Sequence, residues 1–287
     1  MGITHILNTL IKAVVAGMAV VRADQGKPTV TELKTADMTH VTPTDRRSEA
    51  AMLSVLSGIP NVDIWTEESA ASGNKRRRLI LGDPMDGTSA TAMGLMSATV
   101  IAGVYDRKKK QVLTVVVGEP VSGRLWFAET NTPAHQLWFN QSGEEVSRDL
   151  VKPQWDRKET LDDTRTVFLD VSHGFKEVLS HDQMRKLMAM LSRQSRILIP
   201  GSNGLIQAVV ANGAKIISGA ISTAKGGPWD LVGGLLVKQA GGSLRGFRKI
   251  DGKIIPHDPL DVLGCDILVS ANSEPIAEEL AGMILAL

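Results

Sequence analysis

The sequence predicts a mixed fold of the α+β or α/β type, and three observations support this prediction. Strand-like and helical segments alternate along the second half of the 287-residue chain. Three strand-like runs in the first half are separated by short polar turns, as in an antiparallel meander. Hydrophobic residues make up 43% of the chain, so it can bury a large core, in one big domain or two.

The first segment of the chain has the spacing of an amphipathic helix. Its apolar residues recur at helical intervals from Ile3 to Met18. No positively charged segment precedes them and Lys12 interrupts them, so we expect a helix packed on the core and not a signal peptide. The segment is also too short and too interrupted to predict a membrane span.

The meander and the segment after it suggest how the chain is divided. The predicted strands of the meander cover residues 98–105, 111–119 and 124–129. The polar segment 130–165 shows no clear period, and we expect a variable excursion there. We therefore divide the chain into an N-terminal α+β half, residues 1–150, and a C-terminal α/β half, residues 151–287.

The C-terminal half is predicted to alternate strands with helices, which indicates an α/β arrangement. Its predicted strands cover residues 166–170, 197–199, 215–221 and 267–270. Helices are predicted near residues 182–192, from Ser202, from Trp229 and at the end of the sequence. Neither an internal repeat nor a low-complexity tract interrupts this alternation.

Two aspartates follow a short apolar strand in the N-terminal half. Asp83 and Asp86 are separated by a turn that begins with proline, so both carboxylates can converge on one point, with the Met85 carbonyl between them. Mg²⁺ prefers oxygen ligands of this kind. Gly87 and Thr88 then begin a helix, where free N–H groups favour an anion. The same residues also suit a plain turn followed by an aspartate helix cap.

Three further acidic positions lie at strand ends or helix starts. Asp230 falls in the first turn of a predicted helix, Glu67 follows a strand-like run, and Asp45 precedes another helix. Each also has a simpler explanation, respectively an acid favoured by the helix dipole, a solvated loop and a helix cap. Taken with the aspartate pair, they favour a shared site for divalent cations.

Four motifs in this order resemble those of the inositol monophosphatase family of Mg²⁺-dependent, often lithium-sensitive phosphatases, which includes fructose-bisphosphatases and bisphosphate nucleotidases. The motifs are Val41-Thr42-Pro43-Thr44-Asp45, Thr66-Glu67-Glu68-Ser69, Asp83-Pro84-Met85-Asp86-Gly87-Thr88 and Trp229-Asp230-Leu231-Val232-Gly233. The resemblance extends from about residue 41 to residue 271. It implies a layered αβαβα sandwich of the sugar-phosphatase type, with mixed sheets and helices between them, that assembles as a homodimer.

The resemblance also implies a role for each candidate site residue. Two or three Mg²⁺ ions, for which Mn²⁺ can substitute, are expected at Glu67, Asp83, Met85, Asp86 and Asp230. Catalytic roles, with attack on phosphorus by a water that the metal activates, are expected for Glu67, Thr88 and Asp45. Contacts to the phosphate are expected from Gly87, Thr88 and Ser89, and contacts to the rest of the substrate from Ser202, Asn203, Thr223 and Lys225.

The sequence departs from the family pattern in three places. Ser89 and the two residues after it replace the usual segment that ends in Asn-Phe, and Thr66 stands where glycine is common. Thr223 stands where many inositol-specific members carry a glutamate. Charged hydrogen bonds to substrate hydroxyls contribute about 1.5–3 kcal/mol. We therefore expect a sugar phosphate or bisphosphate, or a nucleotide phosphate, to be a better substrate than inositol 1-phosphate.

Composition and missing motifs exclude several classes of protein. The net charge of +1 gives no overall attraction to nucleic acid or to a membrane. The single cysteine, Cys265, excludes an internal disulfide and predicts a reducing compartment, the cytoplasm. The motifs HExxH, GxxxxGK[ST] and GxSxG are absent. His173 either lines the cleft or has a structural role. The remaining rival is a non-catalytic regulator that binds phosphate or metal.

Overall fold

The structure is a computed structural model that describes residues 3–24, 27, 31–33, 40–69, 71–73, 75–155, 160–162, 164–170, 178–224 and 226–287. The predicted site residue Lys225, and the segment 171–177 with His173, lie outside these residues. The helices are α1 Ile3–Asp24, α2 Pro43–Leu56, α3 Thr88–Ala92, α4 His181–Leu191, α5 Asn203–Asn212, α6 Trp229–Val232, α7 Gly234–Gln239 and α8 Glu274–Leu285.

The strands from the N-terminal half form one large sheet and one small pair. They are β1 Glu32–Leu33, β2 His40–Val41, β3 Val62–Thr66, β4 Arg78–Asp86, β5 Thr99–Asp106, β6 Gln111–Glu119, β7 Arg124–Glu129, β8 His135–Phe139 and β9 Glu145–Leu150. β1 and β2 form a separate two-stranded pair, and the others form a seven-stranded sheet in the order β3-β4-β5-β6-β7-β8-β9. β3 and β4 are parallel, whereas the later neighbours are antiparallel.

Strands from the C-terminal half form a six-stranded sheet. They are β10 Thr166–Leu169, β11 Arg196–Leu198, β12 Ile217–Thr223, β13 Ser243–Ile250, β14 Lys253–His257 and β15 Ile267–Ala271. Their order is β11-β10-β12-β15-β13-β14. β10 runs parallel to β11 and β12, so the carboxyl ends of these strands meet at one edge. The other neighbours are antiparallel.

The helices and sheets stack in five layers. α1 and α2 cover the outer face of the seven-stranded sheet. α5, α6 and α7 fill the space between the sheets, and their apolar side chains form one core with both inner faces. α4 and α8 cover the far face of the six-stranded sheet. This arrangement confirms the predicted αβαβα sandwich with mixed sheets.

Helix α1 is a core helix of this sandwich. It is the one helix among the described residues that is long and apolar enough to cross a membrane by length and composition, over His5–Asp24. Half of that apolar window is buried inside the fold. Leu10, Val14 and Val21 are fully covered where the helix packs on β5 and β6. The predicted packed first helix is therefore confirmed.

Two parts of the sequence-based prediction are wrong. The polar segment 130–165 contains β8 and β9, which extend the large sheet to its edge. β9 is exposed along its whole length, so its residues lack the apolar alternation that marks a strand. The hairpin of β13 and β14 also went unpredicted, because its outer strand is half exposed and its inner strand is interrupted by charged residues.

Candidate active site

Three buried aspartates meet in the space between the two sheets. Asp83, Asp86 and Asp230 each offer a carboxylate oxygen, and these oxygens all lie within 4.8 Å of one another. The residues are 2%, 7% and 7% exposed, respectively. Asp83 and Asp86 come from β4 of the large sheet, and Asp230 comes from α6 in the layer between the sheets. The two halves of the chain therefore complete one acidic cluster.

An irregularity in β4 brings Asp83 and Asp86 together. The sequence predicts that the strand ends at Gly82, but the strand continues to Asp86 with a register shift between Asp83 and Asp86 against β5. The Met85 N–H donates to Asp83 Oδ1 at 2.9 Å across this bulge. Residues three apart would point to opposite faces of a regular strand, and the bulge removes that alternation.

Donors from the start of α5 and from Thr99 fix the Asp86 carboxylate. Its Oδ2 accepts hydrogen bonds from Ser202 Oγ at 2.7 Å, from the Gly204 N–H at 2.6 Å and from Thr99 Oγ1 at 3.1 Å. Ser202 is also the N-cap of α5, because its hydroxyl accepts from the Leu205 N–H. The predicted substrate residue Ser202 thus contacts a candidate metal ligand and begins the helix that supports it.

The position of Asp230 depends on the glycines before α6. Its Oδ2 accepts from the N–H groups of Gly226 and Gly227 at 2.9 and 3.3 Å. A Cβ atom on Gly226 would lie 2.9 Å from that oxygen, so any side chain there would displace the carboxylate. Trp229 packs edge-on against Trp65 with ring centroids 5.5 Å apart, which ties this end of α6 to β3. The predicted Trp229 helix is split at Gly233 into α6 and α7.

Glu67 follows β3 and reaches the same cluster. Its N–H donates to the Gly82 carbonyl at 3.0 Å, and its side chain lies within hydrogen-bonding reach of Asp83. Thr66, the last residue of β3, donates its buried hydroxyl to Glu49 on α2. The threonine that replaces the usual glycine is therefore a structural anchor for the residue before Glu67.

Burial and mutual repulsion raise the pKa values of these acids. Burial, followed by the charges of Glu67, Asp86 and Asp230, raises the pKa of Asp83 well above its usual range. Burial and the nearby acids likewise raise the pKa of Asp230. Burial raises the pKa of Asp86 to about 6, although its donors favour the charged form. A divalent cation would remove this repulsion, and an all-oxygen donor set fits Mg²⁺ or Mn²⁺.

Thr88 and Asp45 form a hydrogen-bonded pair beside the cluster. Thr88 Oγ1 lies 2.7 Å from Asp45 Oδ1 and 3.0 Å from the Met85 carbonyl oxygen. Thr42 is the N-cap of α2, and Asp45 completes a capping box at the third helical position, because its Oδ2 accepts from the N–H and the hydroxyl of Thr42. Burial raises the pKa of Asp45 against the effect of these donors. The prediction that Asp45 itself caps the helix is wrong, because Thr42 takes that position, and the Asp45 carboxylate bridges the helix start and Thr88.

The start of α3 requires glycine at position 87. Gly87 has φ of 102°, in the left-handed region, and a Cβ atom there would approach the Gly201 carbonyl oxygen to 3.2 Å. Thr88 begins the helix and is buried, whereas Ser89 is exposed. The predicted phosphate-contacting residues thus lie in one short turn next to the aspartates.

The predicted substrate residues Asn203 and Thr223 both contact the carboxylate of Asp170, which the sequence analysis did not identify as a site residue. Thr223 is fully buried and donates to Asp170 Oδ2 at 2.8 Å, and Asn203 Nδ2 lies 3.3 Å from the same oxygen. Asp170 directly follows β10, whose neighbour β12 is parallel and ends at Thr223. An aspartate at the carboxyl end of a predicted parallel strand was the available signal.

Comparisons with known proteins agree with this geometry. The sequence profile of the inositol monophosphatase family matches residues 3–285. The fold is similar to that of an IMPase from Thermotoga maritima, with a TM-score of 0.73, 21% identity, and 97% of this chain and 96% of that chain covered. Comparison with curated proteins by sequence gave no significant match.

Two further solved structures share the fold. The inositol monophosphatase from Anabaena (Nostoc) sp. has a TM-score of 0.71 and 21% identity, with 100% of this chain and 98% of that chain covered. An IMPase/NADP phosphatase complexed with Mg²⁺ and phosphate has a TM-score of 0.64 and 18% identity, with 90% and 87% covered. Because the profile match spans nearly the whole sequence, the protein belongs to the inositol monophosphatase family.

Proposed function

We propose that the protein is a Mg²⁺-dependent phosphomonoesterase that hydrolyses a small phosphorylated metabolite. The observation that carries this proposal is the meeting of Asp83, Asp86 and Asp230 within 4.8 Å, beside the Asp45–Thr88 pair. Family membership supports a phosphatase, and one structure of similar fold is described as holding Mg²⁺ and phosphate. The substrate is a sugar phosphate, an inositol phosphate or a nucleotide phosphate.

The acidic cluster supplies the metal ligands in this proposal. Two or three Mg²⁺ ions, or Mn²⁺ in their place, are held by Glu67, Asp83, the Met85 carbonyl, Asp86 and Asp230. Bound Mg²⁺ supplies Lewis-acid chemistry, since it neutralises phosphate charge and lowers the pKa of water. Asp86 can present Oδ1 because its Oδ2 is occupied by Ser202, Gly204 and Thr99. Asp230 can likewise present Oδ1 to a metal, because two backbone N–H groups donate to its Oδ2.

The Asp45–Thr88 pair handles the proton of the attacking water. Thr88 has one hydroxyl hydrogen, and the shorter of its two contacts is to Asp45 Oδ1. Thr88 Oγ1 can therefore accept a proton from water while passing its own proton to Asp45. The raised pKa of Asp45 makes that carboxylate a better proton acceptor. Glu67, next to Asp83, orients the same water from the opposite end of the cluster.

The turn from Gly87 to Ser89 holds the phosphate. The first N–H groups of a helix have no partner within the helix, so they are available to an anion. The left-handed conformation of Gly87 places this turn directly after the Asp86 ligand. Donors fixed before the reaction stabilise charge that shifts to the phosphate oxygens in the transition state.

Phosphate release from a panel of sugar, inositol and nucleotide phosphates tests this proposal. We expect turnover with Mg²⁺ or Mn²⁺ and none after chelation with EDTA. The rival proposal, a phosphate- or metal-binding regulator that retains the fold, predicts ligand binding without turnover on every member of the panel. Full activity in excess EDTA would remove the metal-dependent reaction.

We also propose that the enzyme is a cytoplasmic homodimer. Cys265 is buried and forms no disulfide, which suits a reducing compartment. Met93, Leu95 and Met96 follow α3 and are 68%, 54% and 61% exposed, so they form an apolar stretch that a second copy could cover. Light scattering after size-exclusion chromatography measures the mass, and a value near 31 kDa would contradict the dimer.

A further inference from the structure

A second polar group lies next to the acidic cluster, on the six-stranded sheet. Asp170 is 3% exposed, which is the same degree of burial as the three clustered aspartates. Its Oδ2 accepts from Thr223 Oγ1 on the neighbouring strand and lies 3.3 Å from Asn203 Nδ2 at the start of α5. Asp170 thus marks the point where β10, β12 and α5 converge.

This group contains an acceptor without a donor. Asn203 is 6% exposed, and its Oδ1 has no hydrogen-bond partner among the residues that the structure describes. The amide cannot be turned to correct this, because its Nδ2 would then leave Asp170. Thr223 cannot supply the missing donor, since its single hydroxyl hydrogen is directed to Asp170. A buried acceptor of this kind is costly unless a ligand or water donates to it.

The group is positioned to contact the alcohol portion of a bound phosphate ester. Asp170 is close enough to Asp230 for its charge to contribute to the raised pKa of that residue. Asn203 lies between Ser202 and Gly204, both of which donate to Asp86. The Asp170–Asn203 group therefore adjoins the acidic cluster on the side formed by the C-terminal half.

We propose that Asp170 and Asn203 recognise adjacent hydroxyl groups on the substrate, and that they favour a phosphorylated polyol or sugar. One substrate hydroxyl donates to the Asp170 carboxylate and its neighbour donates to Asn203 Oδ1. Thr223 acts as a positioning residue that holds Asp170 and does not itself bind the hydroxyls. This inference rests on the proposed phosphatase function and names the substrate class of the same site.

Asp170 changes the expectation, drawn from Thr223, that inositol 1-phosphate is a poor substrate. A neutral residue at position 223 was expected to disfavour inositol 1-phosphate, because no carboxylate would meet the hydroxyls. Asp170 brings a carboxylate to within 2.8 Å of the Thr223 hydroxyl from the adjacent strand. The chain therefore has an acidic group in this part of the pocket, although its position in the sequence differs by more than fifty residues.

The test compares substrates with and without adjacent hydroxyls in the Asp170→Asn variant. We would measure kcat/KM with Mg²⁺ for inositol 1-phosphate, glucose 1-phosphate and phenyl phosphate. We expect a loss of about 10- to 150-fold on the two polyol substrates and a change of less than about threefold on phenyl phosphate. The relative loss on the two polyols distinguishes an inositol ring from a sugar ring. An equal loss on all three substrates, or no loss, would overturn the inference.

Two further variants and a binding measurement make the result decisive. Asn203→Ala keeps the charge and should cost about 2- to 13-fold on the polyols alone. If Asp170→Asn does not fold, the kcat/KM values of Asn203→Ala test the inference in its place. A loss of activity on phenyl phosphate as well as on the polyols would contradict the inference. Asp182→Asn, which changes an exposed carboxylate on α4, should leave all three rates unchanged.

If the protein shows no turnover, calorimetric titration with inositol 1-phosphate and with inorganic phosphate tests the inference instead. Selective weakening of the first ligand in Asp170→Asn supports the inference even if the proposed hydrolysis fails, whereas equal weakening of both, or of neither, rejects it.

Discussion

The two halves of the molecule contribute to the site in different ways. The N-terminal half supplies Asp45 from α2, and Glu67, Asp83, Asp86 and Thr88 from a short stretch of sequence around β3, β4 and α3. The C-terminal half supplies Asp170, Asn203, Thr223 and Asp230 from separate strands and helices. In the proposed function the first group and Asp230 act on the phosphate, which every substrate shares, whereas Asp170, Asn203 and Thr223 lie where substrates differ. Variants in the first half should therefore affect all substrates, and most variants in the second half should affect some of them.

The largest effect is expected from Asp83→Asn. This residue has contacts with Glu67 and Met85 at the centre of the acidic cluster, so its loss should reduce kcat by about 10³-fold or more on every substrate. The same change removes one of several repelling buried charges. The thermal midpoint of the metal-free variant should therefore be higher than that of the wild type, and Mg²⁺ should raise it less. A near-normal rate for Asp83→Asn would show that the ligand assignment is wrong.

The next largest effect is expected from Thr88→Ala. Removing the hydroxyl between Asp45 and the Met85 carbonyl eliminates the proposed proton relay, and general-base contributions of this kind are worth about 10²- to 10⁴-fold in rate. Thr88→Ser keeps the hydroxyl and should recover most of the activity, so it is the matched control. A loss confined to one substrate would show that Thr88 recognises that substrate. It would contradict the proposal that the N-terminal half acts on the phosphate alone.

Lithium inhibition tests the contribution of Asp230, where the two halves meet. Family resemblance predicts that Li⁺ competes with Mg²⁺ at the ion site that Asp230 completes, with inhibition at millimolar concentrations. In Asp230→Asn the residual activity should need about tenfold more Li⁺ for half inhibition, because loss of a charged ligand weakens ion binding, and a tenfold change corresponds to about 1.4 kcal/mol. Unchanged inhibition in the variant would separate the effect of lithium from this site.

The smallest effect is expected from Thr223→Val. The valine keeps the shape of the side chain but removes the donor to Asp170, and a neutral hydrogen bond contributes about 0.5–1.5 kcal/mol. We expect a reduction of about 2- to 13-fold in kcat/KM on polyol phosphates and little change on phenyl phosphate. Thr223→Ser should behave like the wild type. An equal effect on both kinds of substrate would show that Asp170 acts by positioning Asp230 and not by binding hydroxyls.

The convergence of Asp83 and Asp86 could be predicted from the sequence because the two residues are close in the chain. Asp83, Met85, Asp86 and Thr88 lie within six residues, and their spacing alone suggests convergence. The β-bulge that allows the two aspartates to meet was not predicted, since bulges depend on pairing with β5. The strands β8 and β9 were missed because they bury few side chains: the edge strand β9 is exposed throughout, and its neighbour β8 has one buried residue, Leu137.

Asp170 was missed for a different reason. Its hydrogen-bond partners, Asn203 and Thr223, lie 33 and 53 residues further along the sequence. No periodicity or motif connects positions so far apart, and only the parallel pairing of β10 with β12 brings them together. The donors to Asp86 from the start of α5 could not be predicted for the same reason, because Ser202 and Gly204 are distant from Asp86 in the sequence.

Those donors to Asp86 also bear on how the protein assembles. A nascent chain that has completed the seven-stranded sheet already contains Glu67, Asp83 and Asp86, but it lacks Ser202, Gly204 and Asp230. Until they are added, the Asp86 carboxylate lacks its donors from the start of α5 and the ion site lacks its third aspartate. High-affinity capture of Mg²⁺ should therefore coincide with docking of the second sheet, so that metal uptake reports the last step of folding.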